Sequence, residues 1–419
     1  MSTPVVNIWD ARTPGARSTS SKAPASDETW RLEEFRAQGT AWVYYSSPEQ
    51  KHLRRPVILA DGFSMGASSL DMLWDGMENG QYPFVSKLRE QGFDVILLGF
   101  DERSASILDN TEVAIGCIRK AIAEREGSAK LTVGGFSMGG LVTRYALAKM
   151  ETDKEEHETS TYLSYDTPHR GAWLPIAVQA FAHFVKDNWG DIPVYGEHLS
   201  RFSHMVNSAA ARQLLRWHIA TVGAEAGQDQ ERTDFLEALE RVGTWPQRPR
   251  LLGVANGVGT GVGNGIPAGT PAMISHGEHL GGTHLDTQAE GNPVVVAQLC
   301  KAGDRPIDVS TSHIPDIDGA PGGLFPEAAL LPGRPANFGT AAMLVELLEG
   351  QAPELVYNAT TFVPTVSAVA TGDIDNRDTL YGKVDRDSSE LHDFACAGDN
   401  QGHTVMTEEL GQWIVDQLR

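Results

Sequence analysis

The feature that most constrains this chain is a strand pattern joined to a helical pattern by one Gly-x-Ser-x-Gly turn. Residues 131–133 are apolar and β-prone, residues 135–139 read Gly-Phe-Ser-Met-Gly, and apolar side chains then recur at helical spacing. In so sharp a turn, side chains two before and two after the serine would collide, so glycine is expected at both places. The pattern predicts that Ser137 stands clear of a sheet at a helix N-terminus, where the N–H of Met138 can face an oxyanion.

A second copy of the same five residues occurs at 62–66, after an apolar run. Ser64 has too little chain before it to build a sheet, whereas Ser137 follows a run of alternating strand and helix patterns. We therefore expect the copy to be the loop that contributes the second oxyanion N–H, from Phe63 or a direct neighbour, with Ser64 as a loop residue. The alternating patterns are residues 56–60, 84–91, 93–98 and 111–126.

A serine hydroxyl becomes a good nucleophile when an imidazole takes its proton, and a carboxylate must orient that imidazole. In a sheet of this kind the order along the chain is serine, acid, histidine, with the histidine after the last strand. His403 follows a glycine, lies beyond every predicted strand and precedes a terminal helix, so we predict that it is the base. His392 is the competing residue.

Three carboxylates compete for the third position. Asp166 ends the strand that follows the Ser137 helix, which favours it, although it is also a reasonable N-cap for the turn that follows. Asp373 and Asp375 lie later, between the last apolar segment and His403. The position after the strand that ends near Ala255 holds Asn256, which is not a carboxylate.

Three segments of the chain resemble bacterial lipases and esterases of the α/β-hydrolase superfamily. They are residues 133–145 around Ser137, the Asp-Thr-Pro-His-Arg-Gly-Ala segment 166–172, and the Val-Pro-Thr-Val-Ser-Ala segment 363–368. Where such lipases place their acid just ahead of the third segment, this chain has alanine and threonines, which favours Asp166. The resemblance implies an α/β fold with a mostly parallel sheet covered by helices on both faces, and it implies ester hydrolysis without a cofactor.

We therefore predict cleavage of a hydrophobic ester or thioester through an acyl-enzyme on Ser137. Two alternatives stay open. The same acyl-enzyme can be resolved by an alcohol or amine, as in an acyltransferase or cyclase, or the fold can bind a ligand or protein without turnover.

The predicted organisation is a core of residues 28–172 and 249–419, a flexible arm at 1–27 and a helical cap at 173–248. The cap prediction depends on amphipathic helical patterns with large apolar side chains. Residues 361–370 are predicted to be the last core strand or the turn into it, whereas the glycine-rich region 256–340 is compatible with hairpins or long loops.

The formal charge of −21 argues against nucleic acid and anionic membranes as main partners. Cys117, Cys300 and Cys396 are an odd number at wide spacing, which favours reduced thiols. No signal peptide or apolar run of bilayer length is recognised, so a soluble, cytoplasmic protein is expected. The oligomeric state is not predicted.

Two weaker groups have spacings that a metal ion can use. One contains His276, His279 and His284, and the other is the acidic loop 373–378. The first lies in a glycine-rich loop and the second lacks the glycine and closing glutamate of an EF-hand, so no metal is predicted at either.

Overall fold

A β-sheet crosses the protein in a computed structural model that describes residues 22–193, 196–325 and 337–419. The strands are numbered in chain order through this sheet and two smaller ones. They are β1 Glu28–Glu33, β2 Gln38–Tyr44, β3 Pro56–Ala60, β4 Asp94–Phe100, β5 Leu131–Phe136, β6 Thr159–Tyr165, β7 Arg250–Ala255, β8 Pro271–Ile274, β9 His284–Asp286, β10 Val294–Leu299, β11 Ile307–Thr311, β12 Gly322–Leu324, β13 Glu354–Leu355, β14 Thr361–Pro364 and β15 Asp393–Cys396.

The central sheet has the strand order β1-β2-β4-β3-β5-β6-β7-β15. β2 is antiparallel to both of its neighbours, β1 and β4. All other neighbouring pairs are parallel. Every residue of β3, β4 and β5 is buried, as expected for parallel strands that are covered on both faces.

Helices connect the strands and cover the sheet. Several begin at a side-chain cap that satisfies a free backbone N–H: Ser106 accepts from Leu108 at the start of one helix, and Thr407 accepts from Leu410 at the start of the last. The helices are α1 Leu70–Glu78, α2 Phe84–Glu90, α3 Ile107–Glu124, α4 Met138–Thr152, α5 Ile176–Trp189, α6 Gly196–Val206, α7 Ala209–Leu214, α8 Gln230–Arg241, α9 Phe338–Glu349, α10 Thr365–Ala368, α11 Arg377–Leu380 and α12 Glu408–Leu418.

The glycine-rich region forms strands rather than only loops. A five-stranded antiparallel sheet has the order β11-β10-β9-β8-β13, and β12 pairs with β14 in a two-stranded ribbon. Of the region 256–340, residues 326–336 lie outside the described part. The ribbon is the part that matters for the site, because it ends beside Asp166.

The predicted last core strand at 361–370 is wrong. Residues Thr361–Pro364 form β14 of the ribbon, and Thr365–Ala368 form the short helix α10. Pro364 has no N–H to offer a further ladder and restricts the chain at the point where the strand ends. The last strand of the central sheet is instead β15, which pairs in parallel with β7.

The segment 173–248 contains the helices α5 to α8. Helix α7 ends at Leu214, because Leu215 is extended and residues 172 and 215 form a β-bridge. α5 packs against α6, α9 and strands β9 to β11. The helices and the five-stranded sheet therefore share one apolar core, and the assignment of the segment as a cap stays a prediction.

Of the predicted N-terminal arm, residues 1–21 lie outside the described residues. The remainder contacts the core: the N–H of Ala23 donates to Asp71, and the hydroxyl of Tyr44 donates to the carbonyl of Pro24. Among the described helices, none combines the length and the hydropathy needed to cross a bilayer.

Candidate active site

Ser137 lies between the last residue of β5 and the first residue of α4. Its φ of 52° and ψ of −121° place a non-glycine residue in a conformation that costs about 1–3 kcal/mol. A Cβ on Gly135 would lie 2.4 Å from the carbonyl carbon of Gly139, and a Cβ on Gly139 would lie 2.3 Å from the carbonyl oxygen of Ala60. Both glycines are therefore required, and the turn has the form that the sequence predicts.

Asp166 lies beside Ser137 because their strands are neighbours in register. Phe136 pairs with Tyr165 in the parallel β5–β6 ladder, and the N–H of Ser137 donates to the carbonyl of Tyr165 at 2.9 Å. Asp166 is fully buried, with a φ of 46°. The ends of these two strands thus bring the serine and the carboxylate to the same edge of the sheet.

His403 reaches this edge from the far end of the chain. Its Nδ1 is 2.7 Å from Oδ2 of Asp166. The second oxygen of Asp166, Oδ1, accepts from the N–H of Asn256 at 3.0 Å. A neutral ring that donates from Nδ1 leaves Nε2 as an acceptor, and in the described structure the buried Nε2 has no hydrogen-bond partner.

The ribbon of β12 and β14 encloses this pair. A Cβ on Gly323 would lie 2.0 Å from Oδ2 of Asp166, so only glycine fits there. The N–H of His403 donates to the carbonyl of Leu324 at 2.7 Å. The ring of Phe362 meets the imidazole edge-on at 4.9 Å between centroids, and Phe325 packs on Phe362 at 4.7 Å. Ser137 and His403 are only 6% and 3% exposed.

The loop after β3 faces the serine. A Cβ on Gly62 would lie 3.3 Å from Cβ of Ser137 and 3.9 Å from its Oγ. Asp61 holds this loop: one carboxylate oxygen accepts from the N–H of Gly62 and the other from the hydroxyl of Ser68, both at 2.7 Å. Arg103 forms a buried ion pair with Asp61 at 3.6 Å. Phe63 belongs to this loop, and Met138 begins α4 directly after Ser137.

A family model for the description "Putative serine esterase (DUF676)" matches residues 111–186. The match runs from α3 into α5 and includes Ser137 and Asp166. No curated protein matches the sequence. The strand order, the antiparallel second strand and the serine turn after the fifth strand are those of α/β-hydrolases.

The protein has the α/β-hydrolase fold.

Several solved structures are similar to this chain over part of their length. The mature lipase BlEst2 of Bacillus licheniformis is 15% identical over 51% of this chain and 71% of that one, with a TM-score of 0.32. The esterase of Pyrobaculum calidifontis is 10% identical over 56% of this chain and 66% of that one, with a TM-score of 0.34. Est1E of Butyrivibrio proteoclasticus is 13% identical over 33% of this chain and 51% of that one, with a TM-score of 0.25.

The competing candidate residues lie elsewhere in the structure. Asp375 forms an exposed ion pair with Arg216 at 2.8 Å, and Asp373 is exposed. His392 is exposed and accepts from the N–H of Leu251 at the start of β7, which is the opposite edge of the sheet from Ser137. The structure therefore brings Asp166 to His403 and leaves the other candidates apart.

His169 is buried near the site but is held by other groups. Its Nδ1 is 3.3 Å from Arg144, its Nε2 is 3.1 Å from the hydroxyl of Ser164, and its ring lies 4.8 Å from that of Trp245. Burial, together with the positive charges of Arg144 and Arg170, holds the pKa of His169 well below its ordinary value. Its contacts are those of a packed core histidine.

The two weak metal groups are not assembled. His276 faces Glu354 and His284 faces Asp286. In the described part of the chain, no three His, Cys, Asp or Glu side chains are grouped as a metal ion requires.

Sequence reasoning missed Gly323 and the position of Phe362. Gly323 gives no local signal, because it is one glycine among many and its neighbour Asp166 is distant in the chain. Phe362 adjoins the Val-Pro-Thr-Val-Ser-Ala segment, so a signal was present. It indicated the wrong element, a core strand instead of a ribbon that packs on the histidine.

Proposed function

We propose that the protein is a serine hydrolase that cleaves a carboxylic ester through an acyl-enzyme on Ser137. The observation that carries this proposal is the buried pair of His403 and Asp166, with Nε2 of the ring unpaired in the described structure, beside a serine in a strained turn. Such a pair is suited to taking a proton from a serine hydroxyl.

In the proposed reaction, Nε2 of His403 takes the proton of Ser137 as Oγ bonds to the ester carbonyl carbon. The carbonyl π electrons move onto oxygen, and the N–H groups of Met138 and Phe63 stabilise the resulting anion. When the tetrahedral intermediate collapses, the C–O bond to the alcohol breaks and His403 gives its proton to the leaving alkoxide. Water then repeats the sequence on the acyl-enzyme and releases the acid. Loss of one oxyanion donor costs about 10²–10³ in turnover.

The surroundings of the pair favour a hydrophobic substrate. Phe63, Phe325 and Phe362 are all half-buried, and the last two lie against or next to the imidazole. Apolar walls with few polar groups are typical of sites that bind apolar small molecules. The proposed substrate is therefore an ester with a hydrophobic acyl or alcohol part.

The proposal is tested by fluorophosphonate labelling and by turnover of a p-nitrophenyl ester chain-length series. We expect wild type to be labelled, and Ser137→Ala and His403→Ala to lose both labelling and turnover. Asp166→Asn is expected to lower turnover by about 10⁴, because the ring loses the carboxylate that sets its tautomer. Asp373→Asn is the matched control and is expected to keep wild-type turnover.

Product analysis in the same assay separates hydrolysis from transfer. Free acid is the expected product, whereas transfer to an added alcohol or amine with little free acid would favour an acyltransferase. A folded wild-type protein that neither reacts with the probe nor turns over any ester of the series would overturn the proposal.

A further inference from the structure

One backbone carbonyl next to His403 accepts two buried hydrogen bonds. The hydroxyl of Tyr165 donates to the carbonyl of Val405 at 2.7 Å, and the side-chain amide of Asn256 donates to the same oxygen at 2.8 Å. Both lone pairs of this carbonyl are thus used by side chains. Tyr165 ends β6 and Asn256 follows β7, so the donors come from adjacent strand ends at the edge that carries Asp166.

The loop that these bonds hold does not have a relaxed backbone. Thr404, between His403 and Val405, has a φ of 61°, a left-handed conformation that non-glycine residues adopt when their surroundings impose it. On the other side, the N–H of His403 is fixed to the carbonyl of Leu324. The backbone is therefore held on both sides of the histidine. Before it, the contact is with the carbonyl of Leu324, and after it, the carbonyl of Val405 accepts from two side chains.

Asn256 contacts both Asp166 and the loop that carries His403. Its backbone N–H donates to Asp166, and its side chain donates to the histidine loop. The amide oxygen is buried and has no hydrogen-bond partner in the described structure, an arrangement that costs about 1–3 kcal/mol. Because Val405 offers an acceptor, the amide nitrogen must face it.

Tyr165 remains a hydrogen-bond donor over a wide pH range. Burial, with the negative charge of Asp166 as a smaller cause, raises the pKa of its phenol well above the ordinary value. The hydroxyl therefore keeps its proton and donates to Val405 throughout the pH range in which an esterase is assayed.

We propose that Tyr165 and Asn256 are positioning residues that act through the carbonyl of Val405 to hold His403 in register with Asp166 and Ser137. This inference rests on the proposed function. It predicts that removal of either donor lowers kcat, because the imidazole spends less time aligned, while KM stays nearly constant, because neither side chain forms part of the aromatic surroundings of the site.

Tyr165→Phe is the first test, and Tyr44→Phe is its matched control. Tyr44 is also buried and also donates to a backbone carbonyl, that of Pro24 at 2.9 Å, but it lies on β2, away from the site. Both changes remove one tyrosine–carbonyl bond, so similar decreases in Tm are expected. Since a general base contributes about 10²–10⁴ in rate, a misaligned one is expected to lower kcat about tenfold or more in Tyr165→Phe alone.

Asn256→Ala and the double variant complete the test. Asn256→Ala is expected to lower kcat with little change in KM and to slow fluorophosphonate labelling in proportion. Because both donors act on one oxygen, the loss in the double variant is expected to be smaller than the product of the single losses.

Unchanged kcat in both Tyr165→Phe and Asn256→Ala, or an equal decrease in Tyr44→Phe, would overturn the inference. If wild type still labels and turns over ester in that experiment, the proposed function stands without it. If wild type does neither, it is the proposed function that fails.

Discussion

The residues Gly-Phe-Ser-Met-Gly occur twice in this chain, and the two copies have different backbones. At 135–139 the serine has a φ of 52° and α4 begins at the next residue. At 62–66 the chain runs on as a loop, and the next helix, α1, begins only at Leu70. Gly62, the first glycine of the loop copy, lies against Ser137. A Cβ added to Gly62 would lie 3.3 Å from the Cβ of Ser137.

The difference shows that the pattern acquires its role from its place in the sheet. The copy at 135–139 leaves a buried central strand and enters a helix directly, so its serine is lifted from the sheet. The copy at 62–66 follows the adjacent strand β3 and is held by Asp61, so it faces the first copy. In the proposed mechanism the two copies supply two parts of one site, the nucleophile and an oxyanion donor.

The largest expected effect separates the two serines. Ser137→Ala is expected to lower turnover by about 10⁴–10⁶, because no other group can form the acyl-enzyme. Ser64→Ala is expected to remain reactive toward the fluorophosphonate probe. Turnover of a p-nitrophenyl ester measures the first change and gel labelling the second. Loss of labelling in Ser64→Ala with retention in Ser137→Ala would reverse the roles of the two copies.

The second pair of variants compares the last glycine of each copy. In Gly139→Ala the new Cβ would meet the rigid backbone of Ala60 and Asp61, so unfolding free energy is expected to fall by about 3 kcal/mol. In Gly66→Ala no described heavy atom lies within 4 Å, but the φ of 76° is unfavourable for alanine, so about 1 kcal/mol is expected. Urea unfolding measures both. Equal losses would mean that the tight turn is not specific to the 135–139 copy.

The smallest effect concerns the loop alone. Asp61→Asn weakens the ion pair with Arg103 and the support of the Gly62 N–H, and it is expected to lower kcat about tenfold, less than the loss of a whole oxyanion donor. Glu155→Gln, which breaks an exposed pair with Arg119, is the control and is expected to leave kcat unchanged. Steady-state kinetics of both variants decide whether the loop depends on its carboxylate.

Local patterns were sufficient for the centre of the sheet. β3, β4 and β5 are mostly apolar because helices cover both of their faces, and glycines are expected on either side of Ser137 in so sharp a turn. The placement of His403 after the last strand also required only chain order.

The sequence favoured Asp166 over the later carboxylates, but it could not show which groups support it, because these supports are contacts between distant residues. Asp166 is selected by the pairing of β5 with β6 and by Gly323 on the ribbon. Tyr165 and Val405, whose hydroxyl and carbonyl form a hydrogen bond, are 240 residues apart in the chain. β15 gives a weak strand signal because it has only four residues and begins with a charged side chain, whereas the apolar segment 361–370 favours the last core strand or the turn into it.

The central claim is that Ser137, and not its copy, is the nucleophile. Peptide mass spectrometry of fluorophosphonate-labelled wild-type protein tests it most directly. The account predicts a single adduct on the peptide that contains Ser137. An adduct on Ser64, or no adduct on the folded protein, would contradict it.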